Sequence, residues 1–411
     1  MDQLSAHLDR GWELVHRGDF DAALLSATKA VEKDEESPEA HNLLGYVHAA
    51  KGDAEAALQH YHEALELDED FVEAMLNAAE VLLHPLHQPD EALRMLEEVL
   101  DFEADDDEDS FIDAALLKVD ALLMLERTEE AKQCLRRASV RAGDHADFAF
   151  ALGRAHVDVG DAKQALVHLN RAVKADPAHA DAHYFLALAH EALDREREAT
   201  AAYLLTRQLD TALPPPPWSM HADRFAERVR RLLAQLPSPW QPALTDTLVA
   251  CALAPGVEAI ADGADPRAAL LVDRARHDDE DANASHCVGE GATAATAAPR
   301  IAHIFVYQRN VERLAHDALD VDRVVREHLM SELEAAFEAP GMGRSTGRES
   351  SPSTLQTVAR RQSTESRSNA AGPHSDGGAA ATSTRSDAGG EDVARASDDR
   401  RARARARGER S

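Results

Sequence analysis

Apolar and small residues recur along the first half of the chain at a constant spacing. The segment from Gly11 to Asp68 aligns with itself at a shift of 34 residues, which places Gly11 on Gly45 and Ala23 on Ala57. The same register returns downstream at Ala131, Ala165 and Ala199. Within each unit the apolar positions follow a helical period, in two stretches joined by short turns that read RGD, KGD or VGD. The pattern predicts a repeat array in which each unit is a pair of amphipathic helices.

These columns of glycine and alanine resemble the tetratricopeptide repeat family. The resemblance covers about half of the chain, residues 1–213, in about six units that start near Leu4, Pro38, Val72, Ile112, Ala146 and Ala180. The third unit gains a residue within HPLHQPDEA, and the acidic insertion DFEADDDEDS separates it from the fourth. Short helix pairs cannot bury their apolar faces alone, so the fold class expected is a mainly α superhelical solenoid with a concave groove.

In that family the first helix of each unit lines the groove, at about its second, fifth and ninth positions. In this chain the second position is acidic in five of six units. The fifth position is apolar or aromatic in five of six units, and the ninth in three of six. The resemblance therefore implies a peptide-binding or protein-binding groove lined by Trp12, Glu39, Asn42, Tyr46, Glu73, Asn77, Asp113, Asp147, Phe150, Arg154, Asp181 and Tyr184.

The acidic residues at the second position form what is called the acidic column below: Glu39, Glu73, Asp113, Asp147 and Asp181. This column has two interpretations. It could attract a basic partner, or it could serve only to solvate a helix face and stabilise helix N-termini, where carboxylates are favoured. Family members that clamp a C-terminal carboxylate carry Lys, Arg and Asn in these columns. Here only Asn42, Asn77 and Arg154 are similar, so such a clamp is not expected.

A proline run separates two kinds of sequence. Residues 214–218 read PPPPW, which cannot continue a helix and marks a linker with few expected contacts across it. In residues 219–342 the pattern predicts a helix with Phe225, Val229, Leu232, Leu233 and Leu236 on one face, strands within AALLVDRA and RIAHIFVYQRN, and a last helix from about Val321 to Phe337. A small α/β domain is expected.

This order of elements resembles a minimal zincin-like metallopeptidase. In that family the late helix carries HExxHxxGxxD, and aligning SELEAAFEAPG to it leaves Glu332 in place. Ser331 and Ala335 stand where the family has zinc-binding histidines, and Glu338 and Gly341 replace the last two motif residues. Serine and alanine cannot bind zinc as imidazoles do, so the resemblance implies a degenerate, non-catalytic domain that holds no metal or other cofactor.

Two alternatives to this pseudoenzyme remain open. The domain could be a metallopeptidase with non-standard ligands, using His328 and Glu332 on one helical face with His303 or His316 as a third ligand. It could also be a packing module unrelated to zincins. The polar loop residues His277, His286 and Cys287 form a weaker cluster, which is expected to be unstructured surface.

The net charge and the hydropathy of the chain restrict the classes of partner that it is expected to bind. The net charge of −31 argues against nucleic acid, because phosphate binding requires clustered Lys and Arg. No leader or membrane-spanning stretch is recognised, and the three cysteines form no CxxC, so a cytoplasmic protein that does not bind membranes is expected.

The C-terminal segment, residues 343–411, is rich in Ser, Arg, Ala and Gly and is expected to be a disordered tail. It has 13 Arg against 9 acidic residues and ends in RRARARARGERS, which could dock onto the acidic groove of its own chain. Together these features predict a non-catalytic scaffold or adaptor that binds a basic or apolar peptide or protein in the repeat groove.

Overall fold

The computed structural model describes residues 3–102, 108–143, 145–237, 240–244, 246–274 and 301–338. The polar loop with His277, His286 and Cys287, the motif residue Gly341 and the tail 343–411 lie outside these residues.

The first half consists of helix pairs, as the 34-residue period predicts. The helices are α1 (Gln3–His16), α2 (Phe20–Lys33), α3 (Pro38–Ala50), α4 (Ala54–Leu67), α5 (Val72–Leu83), α6 (Pro89–Phe102), α7 (Glu108–Met124), α8 (Thr128–Ala142), α9 (Ala149–Asp158), α10 (Ala162–Ala175), α11 (Ala180–Glu191) and α12 (Glu196–Ala212). Each odd-numbered helix packs on the next even-numbered one, and successive pairs stack. The first helices of the second, third and sixth units begin at the predicted residues, and α7 begins earlier because part of the acidic insertion is helical.

The turns within the pairs explain the recurring Gly-Asp. Gly18, Gly52 and Gly160 adopt positive φ angles of 72°, 84° and 76°, which residues with a side chain rarely adopt. The aspartate that follows each glycine caps the second helix. For example, the side chain of Asp53 accepts a hydrogen bond from the backbone N–H of Ala56 at 3.2 Å. The same Gly-Asp pair therefore ends one helix and begins the next.

The second half is a small α/β region. Its elements are α13 (Ala222–Ala234), a 3₁₀ helix (Gln241–Leu244), β1 (Leu248–Ala252), α14 (Val257–Ala261), β2 (Leu270–Arg274), β3 (Ile301–Tyr307), α15 (Gln308–Leu314) and α16 (Val321–Glu338). The described strands form one sheet in the order β1-β3-β2. β1 runs parallel to β3 with Ala250 opposite Phe305, and β2 runs antiparallel to β3 with Val272 opposite Ile304.

The core of this region confirms the predicted helix face. Phe225, Val229, Leu232, Leu233 and Leu236 are all buried, and they pack with the sheet and with the apolar side of α16. β1 was not predicted as a strand. Its residues alternate between exposed and half-buried, and Ala and Cys at three of its five positions give little strand signal.

Candidate functional site

The structure brings several predicted groove residues of neighbouring repeats into contact. The rings of Trp12 and Tyr46, from the first and second repeats, lie 5.2 Å apart between centroids. The Asn77 side-chain amide donates to Asn42 Oδ1 at 3.0 Å. Asn42 also hydrogen-bonds to Glu73, and it is almost fully buried at 1% exposure. Asn42 therefore joins two repeats and is not itself open to a partner.

The carboxylate of Glu73 lies in a crowded part of this surface. Glu73 is exposed to solvent, but the surrounding protein desolvates its carboxylate and raises its pKa, an effect that the hydrogen bond with Asn42 only partly offsets. A partially desolvated carboxylate gains more from a cationic partner than one in bulk water does, because the local dielectric is lower.

Helix capping explains only part of the acidic column. Glu39, Glu73 and Asp181 lie in the first turns of α3, α5 and α11, where the helix dipole favours them. Asp113 does not, because α7 starts at Glu108. Asp147 precedes α9, whose N-cap is Phe148. The helix dipole therefore accounts for three of the five acidic positions.

The fifth repeat presents an acidic and an aromatic residue three positions apart. Asp147 is exposed. Phe150 is half-buried, with its ring centroid 4.5 Å from that of His179 and 5.9 Å from that of Phe185 in the next repeat. Arg154 lies one turn further along α9, with its Nε 3.9 Å from a carboxylate oxygen of Asp158. This part of the predicted surface combines an apolar ring with a solvent-accessible carboxylate.

The matching positions of the sixth repeat are covered by the chain itself. The Arg267 guanidinium reaches Asp181 with an N–O distance of 2.6 Å and lies 4.7 Å from the centroid of the Tyr184 ring. The Tyr184 hydroxyl donates to Asp265 Oδ2 at 2.8 Å, and Tyr184 is only 2% exposed. Asp181 and Tyr184, both predicted to bind a partner, instead bind the segment that leads into β2.

This contact belongs to a buried charge cluster. Arg267 also donates to both carboxylate oxygens of Asp210 at 2.8 and 3.1 Å. Burial opposes ionisation of Asp181, but the positive charges of Arg267 and Arg313 outweigh it and lower the pKa of Asp181. The pKa of Arg313 falls to about 10 because of burial and the charge of Arg267. The strong pairing therefore centres on Arg267.

Other contacts also cross the boundary between the two halves. Arg207 Nε donates to the Pro255 carbonyl at 2.6 Å, and Ile260 is buried among the side chains of the last two repeats. Arg309 Nη2 donates to the Leu213 carbonyl at 2.5 Å, just before the proline linker. The structure differs here from the expectation that few contacts cross this linker. No sequence pattern marks Asp210, Arg267 or Arg313, because residues far apart in the chain form the cluster.

The predicted zinc positions of α16 do not converge. Ser331 and Ala335 are exposed, whereas Glu332 is buried at 7% exposure. His328 Nδ1 lies 2.8 Å from the Val324 carbonyl of its own helix, and His303 lies 3.2 Å from Asp273. Across the described ranges, no group of three ligand atoms close enough for a metal contains His328, His303 or His316. The described part of α16 therefore does not favour the non-standard metallopeptidase.

Stacked helix pairs with polar and aromatic residues at matching positions define a class of repeat proteins that offer an extended binding surface. Residues 8–70 and 150–214 match one family model described as tetratricopeptide repeat, and residues 48–109 match a second model of that description. The repeats in these matched residues are tetratricopeptide repeats, which confirms that part of the sequence prediction. Neither match extends past residue 214, so the zincin-like prediction for residues 219–342 gains no support.

Several solved structures resemble about half of this chain at low identity. PilW, a type IV pilus biogenesis factor, is 17% identical, with a TM-score of 0.45 and coverage of 52% of this chain and 100% of its own. The pilF protein of Pseudomonas aeruginosa is 16% identical, with a TM-score of 0.43 and coverage of 50% and 91%. YrrB, described as a TPR protein with an unusual peptide-binding site, is 23% identical, with a TM-score of 0.34 and coverage of 44% and 91%. No curated protein matches the sequence.

Among the described residues, no helix combines the length and the apolar character needed to cross a membrane.

Proposed function

We propose that this protein is a non-catalytic scaffold whose repeat groove binds an arginine-containing segment of a peptide or protein. Tetratricopeptide repeat proteins bind protein or peptide partners. The preference for arginine rests on the contact that Arg267, from the second half of the chain, makes with the sixth repeat. There, a guanidinium lies against a second-position carboxylate, Asp181, and over a fifth-position ring, Tyr184.

The fifth repeat has the same combination of a carboxylate and an aromatic ring. Among the described residues, no arginine of the chain itself lies against both groups there. Asp147 and Phe150 have the same three-residue spacing as Asp181 and Tyr184. An arginine side chain suits such a pair because its flat guanidinium can stack on the ring while its N–H groups donate to the carboxylate. Asp113 and Glu73 supply the second-position carboxylates of the fourth and third repeats. Several basic residues of an extended partner could therefore bind along the groove, one to each repeat.

The chain also carries a basic segment of its own that fits this chemistry. The tail sequence RRARARARGERS is the densest cationic run, on a chain of net charge −31. We propose that it competes with a partner for the acidic column, since a tethered segment has a high effective concentration near its own groove. Such binding is electrostatic and is weakened by salt.

The experiment measures binding of a labelled RRARARARGERS peptide to the full-length protein by fluorescence anisotropy. Asp147→Asn should weaken binding about 2- to 5-fold, because an exposed ion pair contributes at most about 1 kcal/mol. Combining it with Asp113→Asn and Glu73→Gln should weaken binding about tenfold or more. Glu32→Gln removes an exposed carboxylate from α2, outside the column, and should leave the affinity unchanged.

Equal loss of affinity in Glu32→Gln and in the triple variant would indicate non-specific attraction and overturn the proposed groove. A scrambled peptide of the same composition is expected to bind with similar affinity, because the contacts depend on charge and arginine content. A peptide with every arginine changed to lysine should bind more weakly, because lysine cannot stack flat on Phe150.

A further inference from the structure

The second repeat contains a cluster of two histidines and one glutamate between α3 and α4. His60 Nδ1 lies 2.7 Å from Glu63 Oε2, and His41 Nδ1 lies 3.0 Å from the same oxygen. One ligand atom from each of the three residues lies within 4.8 Å of the other two. His60 and Glu63 are three residues apart on α4 and therefore share a helix face, while His41 reaches them from α3.

The hydrogen bonds of His41 leave a buried nitrogen lone pair directed at this cluster. His41 Nε2 lies 3.0 Å from the Glu35 carbonyl, which can only accept, so Nε2 carries the hydrogen. In the neutral imidazole Nδ1 is then unprotonated. It is buried, has no hydrogen-bond partner, and its side chain is 10% exposed. A lone pair 3.0 Å from a carboxylate oxygen is repelled unless a proton or a metal ion lies between them.

Glu63 is held in an orientation that suits a ligand. Gln59 Nε2 donates to Glu63 Oε1 at 3.0 Å, which leaves Oε2 facing both histidines. An open cleft of about 640 Å³ borders Glu63, Gln59 and Leu86.

Histidines also occupy some of the equivalent positions in the fifth and sixth repeats, where the other metal-binding side chains are missing. His183 occupies the position of His41 in the sixth repeat and makes the same contact, with Nε2 3.0 Å from the Pro177 carbonyl. His156 and His168 form a stacked pair in the fifth repeat, 5.3 Å apart, as His48 and His60 do in the second at 5.4 Å. Arg171 stands at the position of Glu63 in the fifth repeat, and Leu205 in the sixth. Of these three repeats, only the second has a histidine or a glutamate at all three positions.

We propose that His41, His60 and Glu63 bind one divalent transition-metal ion, with Zn²⁺ as the ion that best fits two imidazoles and a carboxylate. Three protein ligands with water in the fourth position satisfy tetrahedral zinc. Ideal tetrahedral ligands about 2 Å from zinc are roughly 3.3 Å apart. The nitrogens of His60 and His41, now 2.7 and 3.0 Å from Glu63 Oε2, would therefore move away from that oxygen by about 0.6 and 0.3 Å. The ion would join α3 to α4. This site is separate from the late-helix motif and differs from the expectation that the protein holds no metal.

The test measures Zn²⁺ binding to the untagged full-length protein after chelator treatment, by isothermal titration calorimetry. One ion per chain is expected, with an increase in the melting temperature. Glu63→Gln and His60→Ala should each weaken binding by more than about 100-fold, beyond the 10- to 100-fold typical of removing an outer partner of a metal ligand. The matched controls His168→Ala and His183→Ala should retain wild-type affinity.

Glu63→Gln keeps the shape of the side chain, so it tests the site even if His60→Ala destabilises the repeat. Co²⁺ provides a second readout, because its visible spectrum distinguishes nitrogen and oxygen ligands from thiolates. Absence of stoichiometric binding, a thiolate spectrum, or loss of binding in His168→Ala with retention in Glu63→Gln would each overturn the proposal. None of these outcomes bears on peptide binding at the acidic column, which is measured separately.

Discussion

The guanidinium carbon of Arg267 lies 4.7 Å from the centroid of the Tyr184 ring, so an arginine of the second half stacks on an aromatic residue of the last repeat. The same guanidinium pairs with Asp181 and Asp210. One side chain therefore joins the two halves of the protein and occupies the last positions of the predicted groove. A partner that binds in the predicted groove would have to use the earlier repeats unless this contact opens.

Arg267→Ala should destabilise the protein by about 3–5 kcal/mol, because Asp181 and Asp210 would lose their main partner in a largely buried site. Urea unfolding measures the loss. Arg323→Ala is the matched control, since Arg323 pairs with Asp320 and Glu327 but is 51% exposed, and its ion pairs should contribute less than about 1 kcal/mol. Equal effects of the two substitutions would show that the Arg267 cluster does not stabilise the junction.

Gly45→Ala should destabilise the second repeat by about 1–3 kcal/mol, the usual cost of overpacking. An added Cβ would lie 2.7 Å from the Tyr61 ring and 3.1 Å from the Ala57 carbonyl, so α3 and α4 would have to separate. Gly256→Ala provides the comparison, because its Cβ would meet only the Glu258 carboxylate at 3.4 Å. Thermal unfolding should separate the two variants, and a neutral Gly45→Ala would mean that the helix pair adapts.

The surroundings of Gly45 and Arg267 show which structural features can be predicted from the sequence and which cannot. The glycine column at a period of 34 predicts the close helix approach at Gly45, and the Gly-Asp turns predict the helix boundaries, because both depend on residues near one another in the chain. The Arg267 cluster depends on residues from three distant segments, which no local pattern relates. Likewise, the three-residue spacing of His60 and Glu63 predicts that they share one face of α4. His41 lies near them only because α3 packs against α4. The zincin-like prediction rested on element order, which many small α/β domains share.

Stability should fall as the pH decreases from about 6.5 to about 4 because of His156. Burial, with the nearby His168, lowers the pKa of His156 from 6.5 to about 4. The unfolded chain then binds a proton in this range that the folded chain does not, so the stabilisation is complete above pH 6.5 and lost towards pH 4. The loss is at most about 3 kcal/mol.

Urea unfolding at several pH values tests this effect. His156→Gln keeps a hydrogen-bonding group near Ser139, which lies 2.9 Å from His156 Nε2, but it cannot ionise in this range. Its stability should therefore depend less on pH between 6.5 and 4. His145→Gln, at an exposed position, should follow the wild-type curve. A His156→Gln curve parallel to that of the wild type would place the pH dependence elsewhere.

The basic tail should reduce the affinity of the full-length protein for basic peptides. A chain that ends at Met342 lacks the competing RRARARARGERS segment, so it should bind a labelled peptide of that sequence more tightly than the full-length chain at low salt. The difference should disappear at about 0.5 M salt, where the Debye length falls to a few ångströms. A full-length variant with Arg403, Arg405 and Arg407 changed to Gln keeps the length of the tail and should match the truncated chain. If truncation leaves the low-salt affinity unchanged, the tail does not compete for the groove, and basic partners reach the acidic column of repeats two to five unopposed.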